Sequence, residues 1–415
     1  MSDEALSEMP PSRVQRRRAE AARPSLSERF DAITVEDLRA QGSLKWNVHP
    51  GALGMWVAEM DFGIAPQVAD AIEPALDAGA LGYLPRADRA ALRNATAAYQ
   101  REQFGWDVSP DRVFLLPDVM SSLSAMIDTL LPPDVPVVVP TPAYMPFLTW
   151  PGTHHRRTIE VACPHDETGR YRLDLGAIDA ALAEHGGGLV LLSNPWNPVG
   201  RVLSREELAG LADVVERHGA RVFSDEIHAP LVLDDAVPHV PYASLDARTA
   251  AHTVTAVSAS KGWNMPGLKC GQMILTSDRD LEVFAPLAAR YGDAVGILGA
   301  RAATAAYTRG GEWLDEVRAY LRGNRDLLTS AVHGGRLPGV HVTPLEGTYI
   351  AWLDVRDAVG EDGARFFLRE AGVALTDGIE CGEAGRGYVR MILATPRPIL
   401  ARAIEAMSAA LISRG

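Results

Sequence analysis

Lys261 closes an apolar, β-branched run, Thr255-Ala256-Val257-Ser258-Ala259-Ser260-Lys261, with hydroxyls at Ser258 and Ser260 before it and a second cation, Lys269, eight residues on. An amine delivered from a strand end can attack a carbonyl and form a Schiff base, and hydroxyls beside a cation can hold a phosphate. The string S-x-S-K alone occurs in many solvated turns, so its chemistry depends on its company. Upstream, Asn194-Pro195-Trp196-Asn197-Pro198-Val199-Gly200 offers an amide, and Asp225-Glu226-Ile227-His228 offers carboxylates and an imidazole.

Regular elements must bring these groups together. Gly188–Ser193 is a short continuous apolar run, the pattern of a strand buried on both faces of a parallel sheet. Two prolines and a glycine then forbid helix and ladder. Ser204-Arg205-Glu206-Glu207, backed by Leu208, Leu211, Val214 and Val215, reads as a capped amphipathic helix, and Arg221–Ser224 as a second buried strand. The unit is strand, loop, helix, strand. Both polar clusters lie just past the carboxyl ends of strands, where open α/β sheets bind ligands.

The ordered set N-P-x-N-P-x-G, D-E-x-H and S-x-S-K with a basic residue eight positions on resembles the fold-type I pyridoxal phosphate (PLP) enzymes of the aminotransferase superfamily. The resemblance implies an α/β fold: a large domain with a mostly parallel central sheet, and a smaller α+β domain built from both chain ends. It implies PLP held by Lys261, Asp225 at the pyridinium nitrogen, Asn197 at the phenolic oxygen, and Ser258, Ser260 and Lys269 at the phosphate. A carboxylate beside the ring nitrogen favours its protonated form and so makes the ring an electron sink. Glu226 is expected in a structural ion pair.

Ser43-Leu44-Lys45-Trp46-Asn47 and Gly54-Met55-Trp56-Val57-Ala58-Glu59-Met60-Asp61-Phe62 resemble the K-W-[DN] and W-V-A-[DE]-M-D-F signatures of the MalY/PatB branch, the cystathionine β-lyases and cysteine-S-conjugate β-lyases. The likeness runs from about Phe30 to Met407. It implies that Tyr83 reaches a phosphate across a homodimer interface, that Tyr144 in Thr141-Pro142-Ala143-Tyr144-Met145-Pro146-Phe147 stacks on the cofactor ring, and that His228 stands where typical aminotransferases carry tyrosine. Arg390, in Gly385-Arg386-Gly387-Tyr388-Val389-Arg390, would hold the substrate α-carboxylate with Asn197 and Ala58, since a guanidinium fork meets a carboxylate with two parallel bonds. Trp56 and Phe62 are open between core and site, and Tyr83 between a surface and an interface role.

Three positions depart from the pattern. Leu116-Pro117-Asp118-Val119-Met120 replaces a turn that often opens with glycine, leaving the Val119 and Met120 amides as candidate phosphate donors. Cys381 and Ile392 replace a common phenylalanine and asparagine close to the expected substrate, which puts side-chain specificity in doubt. The expected chemistry is β-elimination: Lys261, its pKa lowered, removes the α-proton, and a β-sulfur departs as thiolate, leaving pyruvate and ammonia. Transamination uses the same Lys261, Asp225 and Asn197. Decarboxylation or oxidative deamination in a specialised pathway, and a regulatory binding role, are further readings.

At 415 residues and 47% hydrophobic content, the chain can bury one large α/β domain and a smaller one. Expected bounds are 63–296 for the large domain, 30–62 with 297–415 for the small one, and a mobile tail over 1–29. That tail is arginine-rich without an apolar region, which argues against a secretory signal. A net charge of −13 argues against a general nucleic-acid partner. Three cysteines without paired spacing point to neither disulfides nor zinc, and to a reducing cytoplasm. No apolar stretch approaches a membrane span, and no metal site is expected. Trp313–Leu321 with Leu327 and Leu328 reads as a long amphipathic helix linking the domains.

Overall fold

The structure, a computed structural model, describes residues 24–414. After a short strand β1 (Leu53–Gly54), the central sheet collects β2 (Val113–Leu116), β3 (Val137–Thr141), β4 (Thr158–Ala162), β5 (Leu189–Ser193), β6 (Arg221–Asp225), β7 (Thr253–Val257) and β8 (Gly271–Leu275). Their order is β2-β8-β7-β6-β5-β3-β4. Strands β3 to β7 are parallel, and β8 runs against both neighbours.

The apolar runs are continuous because both faces are covered. Val137, Val139, Leu189, Leu191 and Phe223 pack with Leu123, Met126 and Ile127 on one face. Their alternates Val138, Val190, Leu192 and Val222 pack with Leu182, Leu208, Leu211 and Val215 on the other. The expected helix between β5 and β6 is Arg205–Arg217, opened by a Ser204/Glu207 capping box.

A second sheet, β9 (His341–Val342), β10 (Ile350–Asp354), β12 (Thr376–Asp377) and β13 (Tyr388–Ile392), is antiparallel in the order β12-β13-β10-β9. It places Arg390 between Trp352 and Thr376. The long helix Gly311–His333 packs Trp313, Val317, Tyr320, Leu321 and Leu328 into the core this half shares with the N-terminal segment. That segment is woven in: β1 pairs in parallel with β11 (Val373–Ala374). Helix Ile297–Arg309 packs on helices Pro66–Asp77 and Arg86–Phe104.

Most of the expected tail over 1–29 lies outside the described residues. Its last part is not a tail: a Ser25/Glu28 capping box opens helix Leu26–Asp31. Phe30 stacks on Phe62 at 4.5 Å, and Tyr320 meets both rings edge-on at 5.3 and 5.2 Å. Phe62 is thereby core. Phe30→Ala should cost about 3–5 kcal/mol, read as a lowered urea midpoint at unchanged slope. A loss below about 1 kcal/mol would mean that this helix is not part of the folded unit.

Candidate active site

The loops leaving β3, β5, β6 and β7 carry the expected residues to one edge of the sheet. Asp225 ends β6, 6% exposed. One carboxylate oxygen accepts from the Ile227 N–H at 3.1 Å, and the other has no partner among the described residues. Burial pushes its pKa up to about 7, against the Ile227 N–H and with the neighbouring charge of Glu226. Glu226 is structural, accepting from Ser224 Oγ, the Tyr242 N–H and His239 Nε2 at 2.8, 3.0 and 3.1 Å.

Lys261 lies in the short helix Ala259–Gly262 after β7. Its Nζ donates to the Ala58 carbonyl at 2.7 Å, and the Tyr349 hydroxyl donates to the same oxygen at 2.9 Å. Burial, then the Arg390 charge, lower its pKa to about 8. His228 meets the Tyr349 ring edge-on at 5.8 Å, and its buried Nδ1 has no partner. Burial and the cations Lys261 and Arg390 push its pKa down to about 3, so the imidazole is neutral.

Arg390 is 3% exposed. It donates to Trp56 O at 3.1 Å, Asn197 Oδ1 at 3.3 Å and Thr376 Oγ1 at 3.4 Å, and its buried Nε has no partner. Among the described residues neither Arg390 nor Lys261 forms an ion pair with a carboxylate. The Asn197 side-chain N–H₂ and the Ala58 N–H make no protein hydrogen bond there. Tyr144 caps helix Met145–Thr153, its ring edge-on to Phe147 at 5.6 Å. Its hydroxyl pKa is raised, first by burial and then by Asp225, against Arg390.

Antiparallel pairing of Leu116 with Gly271 brings the end of β2 beside Lys269. A Cβ on Gly271 would lie 2.9 Å from the Asp118 carbonyl carbon, so this approach requires glycine. Asp118 caps helix Val119–Thr129 through the Ser121 N–H and pairs with Lys269 at 3.1 Å, leaving the Val119 and Met120 N–H groups without partners among the described residues. The Ser260 hydroxyl makes no protein hydrogen bond. Ser258 differs from expectation: its hydroxyl is spent inside the turn, donating to Cys270 O at 2.8 Å and accepting from the Ser260 N–H at 3.1 Å. Tyr83, 95% exposed, hydrogen-bonds none of these groups.

Two expectations change. Cys381 and Ile392 are wholly buried, Cys381 among Trp352, Tyr388 and Trp196, and Ile392 in the core of the antiparallel half, so neither side chain faces the cleft. Tyr349 and Thr376 are site residues that sequence reasoning missed. A tyrosine and a threonine within apolar runs carry no spacing signal, and only the fold brings them to Ala58 and Arg390.

A second set with catalytic residue types is a brace. Ser124 Oγ meets His154 Nε2 at 3.0 Å, His154 Nδ1 meets Asp128 at 2.8 Å, and the Trp150 indole donates to Ser124 at 2.9 Å. Ser124 lies inside helix Val119–Thr129, where backbone N–H groups are spent on the helix, so paired donors for an oxyanion are lacking. The set ties this helix to the one Tyr144 caps. A cavity of about 830 Å³ between Gly169, Tyr171, His341 and Glu346 also lies apart from the site. Among the described residues no three His, Cys, Asp or Glu side chains could hold a metal ion, and no helix is long and apolar enough to cross a membrane.

The orphaned groups define what fits. An unpaired carboxylate oxygen at Asp225, an unprotonated-prone amine at Lys261, an unpaired guanidinium N–H and a cradle of Val119, Met120, Ser260 and Lys269 suit a phosphorylated pyridine aldehyde bearing an amino acid. In the protein without cofactor, Asp225 has a folded pKa of about 7 against an unfolded value of 3.8. Its charge therefore destabilises the fold fully above pH 7 and not at all below the unfolded value. Asp225→Asn should stabilise the cofactor-free protein by about 2–4 kcal/mol above neutrality, with the gap closing as pH falls. Equal stability at every pH in urea denaturation would mean that the carboxylate is already satisfied.

The sequence profile described as aminotransferase class I and II matches residues 52–407. A cystathionine beta-lyase of Corynebacterium glutamicum is 35% identical, over 84% of this chain and 91% of its own. The cystathionine beta-lyase PatB of Bacillus subtilis (strain 168) is 32% identical, over 82% and 87%. The PLP-bound C-S lyase of Staphylococcus hominis superposes with a TM-score of 0.84 at 26% identity, over 92% of this chain and 98% of that one.

Proposed function

Since the chain belongs to the aminotransferase class I and II family, we propose that it is a PLP-dependent C–S β-lyase, converting cystathionine or another S-substituted cysteine plus water to thiol, pyruvate and ammonia. One observation carries the reading: two cations, half-buried Lys261 and buried Arg390, rest on backbone carbonyls two residues apart, Ala58 O and Trp56 O, with no acidic partner among the described residues. Such a pair suits an amino acid presented by its carboxylate to a nearby amine. The relatives named cystathionine beta-lyase support elimination over transamination.

Bound PLP supplies an aldehyde for the substrate amine and a ring that withdraws electrons from its α-carbon. The chain supplies the rest. Lys261 anchors the cofactor, and its Nζ, poised near neutrality by burial, takes the α-proton and returns one to the departing sulfur. Asp225 holds a proton on the ring nitrogen, which a buried carboxylate without a cation partner favours. Arg390 would bind the α-carboxylate, joined by Asn197 and the Ala58 N–H, and Tyr144 and neutral His228 would help hold the ring. Val119, Met120, Ser260 and Lys269 hold the phosphate, with Ser258 shaping their turn.

The reading includes a large domain over 63–296 and a small one from 30–62 and 297–415, with helix Ile297–Arg309 at the seam. It places the enzyme in the cytoplasm as a homodimer in which Tyr83 reaches the partner's phosphate. A monomer in sedimentation that is fully active would remove Tyr83 from the site.

PLP-loaded protein given L-cystathionine or an S-alkyl cysteine without any keto acid should release thiol and pyruvate equally over many turnovers, and Lys261→Ala should abolish this. One turnover that resumes only with 2-oxoglutarate would mean an aminotransferase. Arg390→Lys, which loses the fork, should raise KM about tenfold to a hundredfold. An unchanged KM would place the substrate carboxylate elsewhere.

A further inference from the structure

The two carbonyls that hold the site's cations belong to one run, Trp56–Asp61, and a carbonyl fixes a cation only as well as its own backbone is fixed. A buried ion pair secures this run. Lys45 and Asp61, with side chains 0% and 4% exposed, meet at 2.8 Å. Lys45 Nζ also donates to Glu59 O at 3.1 Å and Ala394 O at 3.4 Å, using all three of its protons. The second Asp61 oxygen accepts from the Trp46 indole at 2.8 Å, and the Asp61 N–H donates to Ala394 O at 3.0 Å. The Trp56 indole returns to Lys45 O at 3.1 Å. From the other side Asn264, three residues past Lys261, accepts from the Met60 N–H at 2.9 Å and donates to Met60 O at 2.8 Å.

Lys45 thus ties the run at both ends, and ties it to Ala394, four residues beyond Arg390 on the same segment. Gly54 has no room for a side chain, since a Cβ would lie 2.4 Å from Lys45 O. Buried ion pairs seldom stabilise more than apolar residues of equal volume, and fixing a register is their best-attested use.

We propose that Lys45 and Asp61 are positioning residues for the reaction: through Trp56 O and Ala58 O they set where the Arg390 guanidinium and the Lys261 amine stand relative to each other. This rests on the reading of Lys261 as anchor and Arg390 as carboxylate ligand.

The test replaces both charges at similar volume, Lys45→Met with Asp61→Leu, in the PLP-loaded protein. Three quantities should move together: kcat falling about tenfold to a hundredfold, KM for L-cystathionine rising, and the pH midpoint of the cofactor's visible absorbance shifting by about half a unit or more. Arg221→Met with Asp280→Leu, replacing another largely buried ion pair at the amino end of β6, should move none of them. The proposal is overturned if the first variant leaves all three in place, or if the second moves them equally. Should the first variant not fold, Trp56→Phe, which cuts only the tie to Lys45 O, must move all three in the same direction, and unchanged values overturn the proposal. Borohydride reduction of the unmutated protein separates the two readings: cofactor found elsewhere than on Lys261 sinks the assignment of the site and this proposal with it, whereas label on Lys261 with inert variants sinks this proposal alone.

Discussion

Two cations drawn out of water, half-buried Lys261 and buried Arg390, without a carboxylate partner among the described residues, are the constraint on which this structure turns. Moving a cation from water into an interior costs several kcal/mol, and the two respond differently. Lys261 can shed its proton, and burial lowers its pKa to about 8. A guanidinium cannot, so Arg390 takes its stabilisation from Trp56 O, Asn197 and Thr376 and keeps one buried N–H unspent. The unpaired oxygen of Asp225 is the complementary vacancy of opposite sign. A ligand carrying a carboxylate at one end and a protonated heterocycle at the other would relieve both.

Each half of the molecule supplies one side of this arrangement. The parallel sheet ends in Tyr144, Asn197, Asp225 and Lys261, while the antiparallel sheet presents Arg390 between Trp352 and Thr376. Neither half holds the two cations in register by itself. The N-terminal run lies between them, bonded to Lys261 and Tyr349 through Ala58 and to Arg390 through Trp56. The helix brace at Ser124, His154 and Asp128 plays a similar part elsewhere, keeping the Val119 and Met120 amides in step with Tyr144.

What could be read from sequence was what local pattern encodes. Buried strands announce themselves by unbroken apolar runs, as at Leu189–Ser193, and the Ser204/Glu207 box marks its helix because both partners lie within one turn. Lys261, Asp225 and Asn197 stood out because strand ends followed by polar loops are where such sheets do chemistry. The groups that escaped depend on distant backbone. Tyr349 matters through a carbonyl 291 residues away, and the hydrogen bonds of Ser258 depend on how the turn at Cys270 closes. Cys381 and Ile392 looked like lining because they neighbour Arg390 in sequence, yet burial against Trp352 and the core turns them away from the cleft. Residues 25–29 read as tail because the partners that seat their helix, Phe62 and Tyr320 against Phe30, are distant in sequence.

The weaving of the first strand into the last third of the chain also sets a timetable. β1 pairs with residues 373–374, and Lys45 bonds the carbonyl of Ala394, so the run that holds the Lys261 amine has no seat until residues as far as Ala394 have left the ribosome. At about 5–20 residues per second, the last strand of the central sheet, β8, is complete roughly 6–24 s before that moment, with Lys261 already at the sheet's edge. A chain ending before β11 would lack both the strand that β1 pairs with and the Ala394 carbonyl, and with them the seat of the run that holds Lys261 and Arg390 in register.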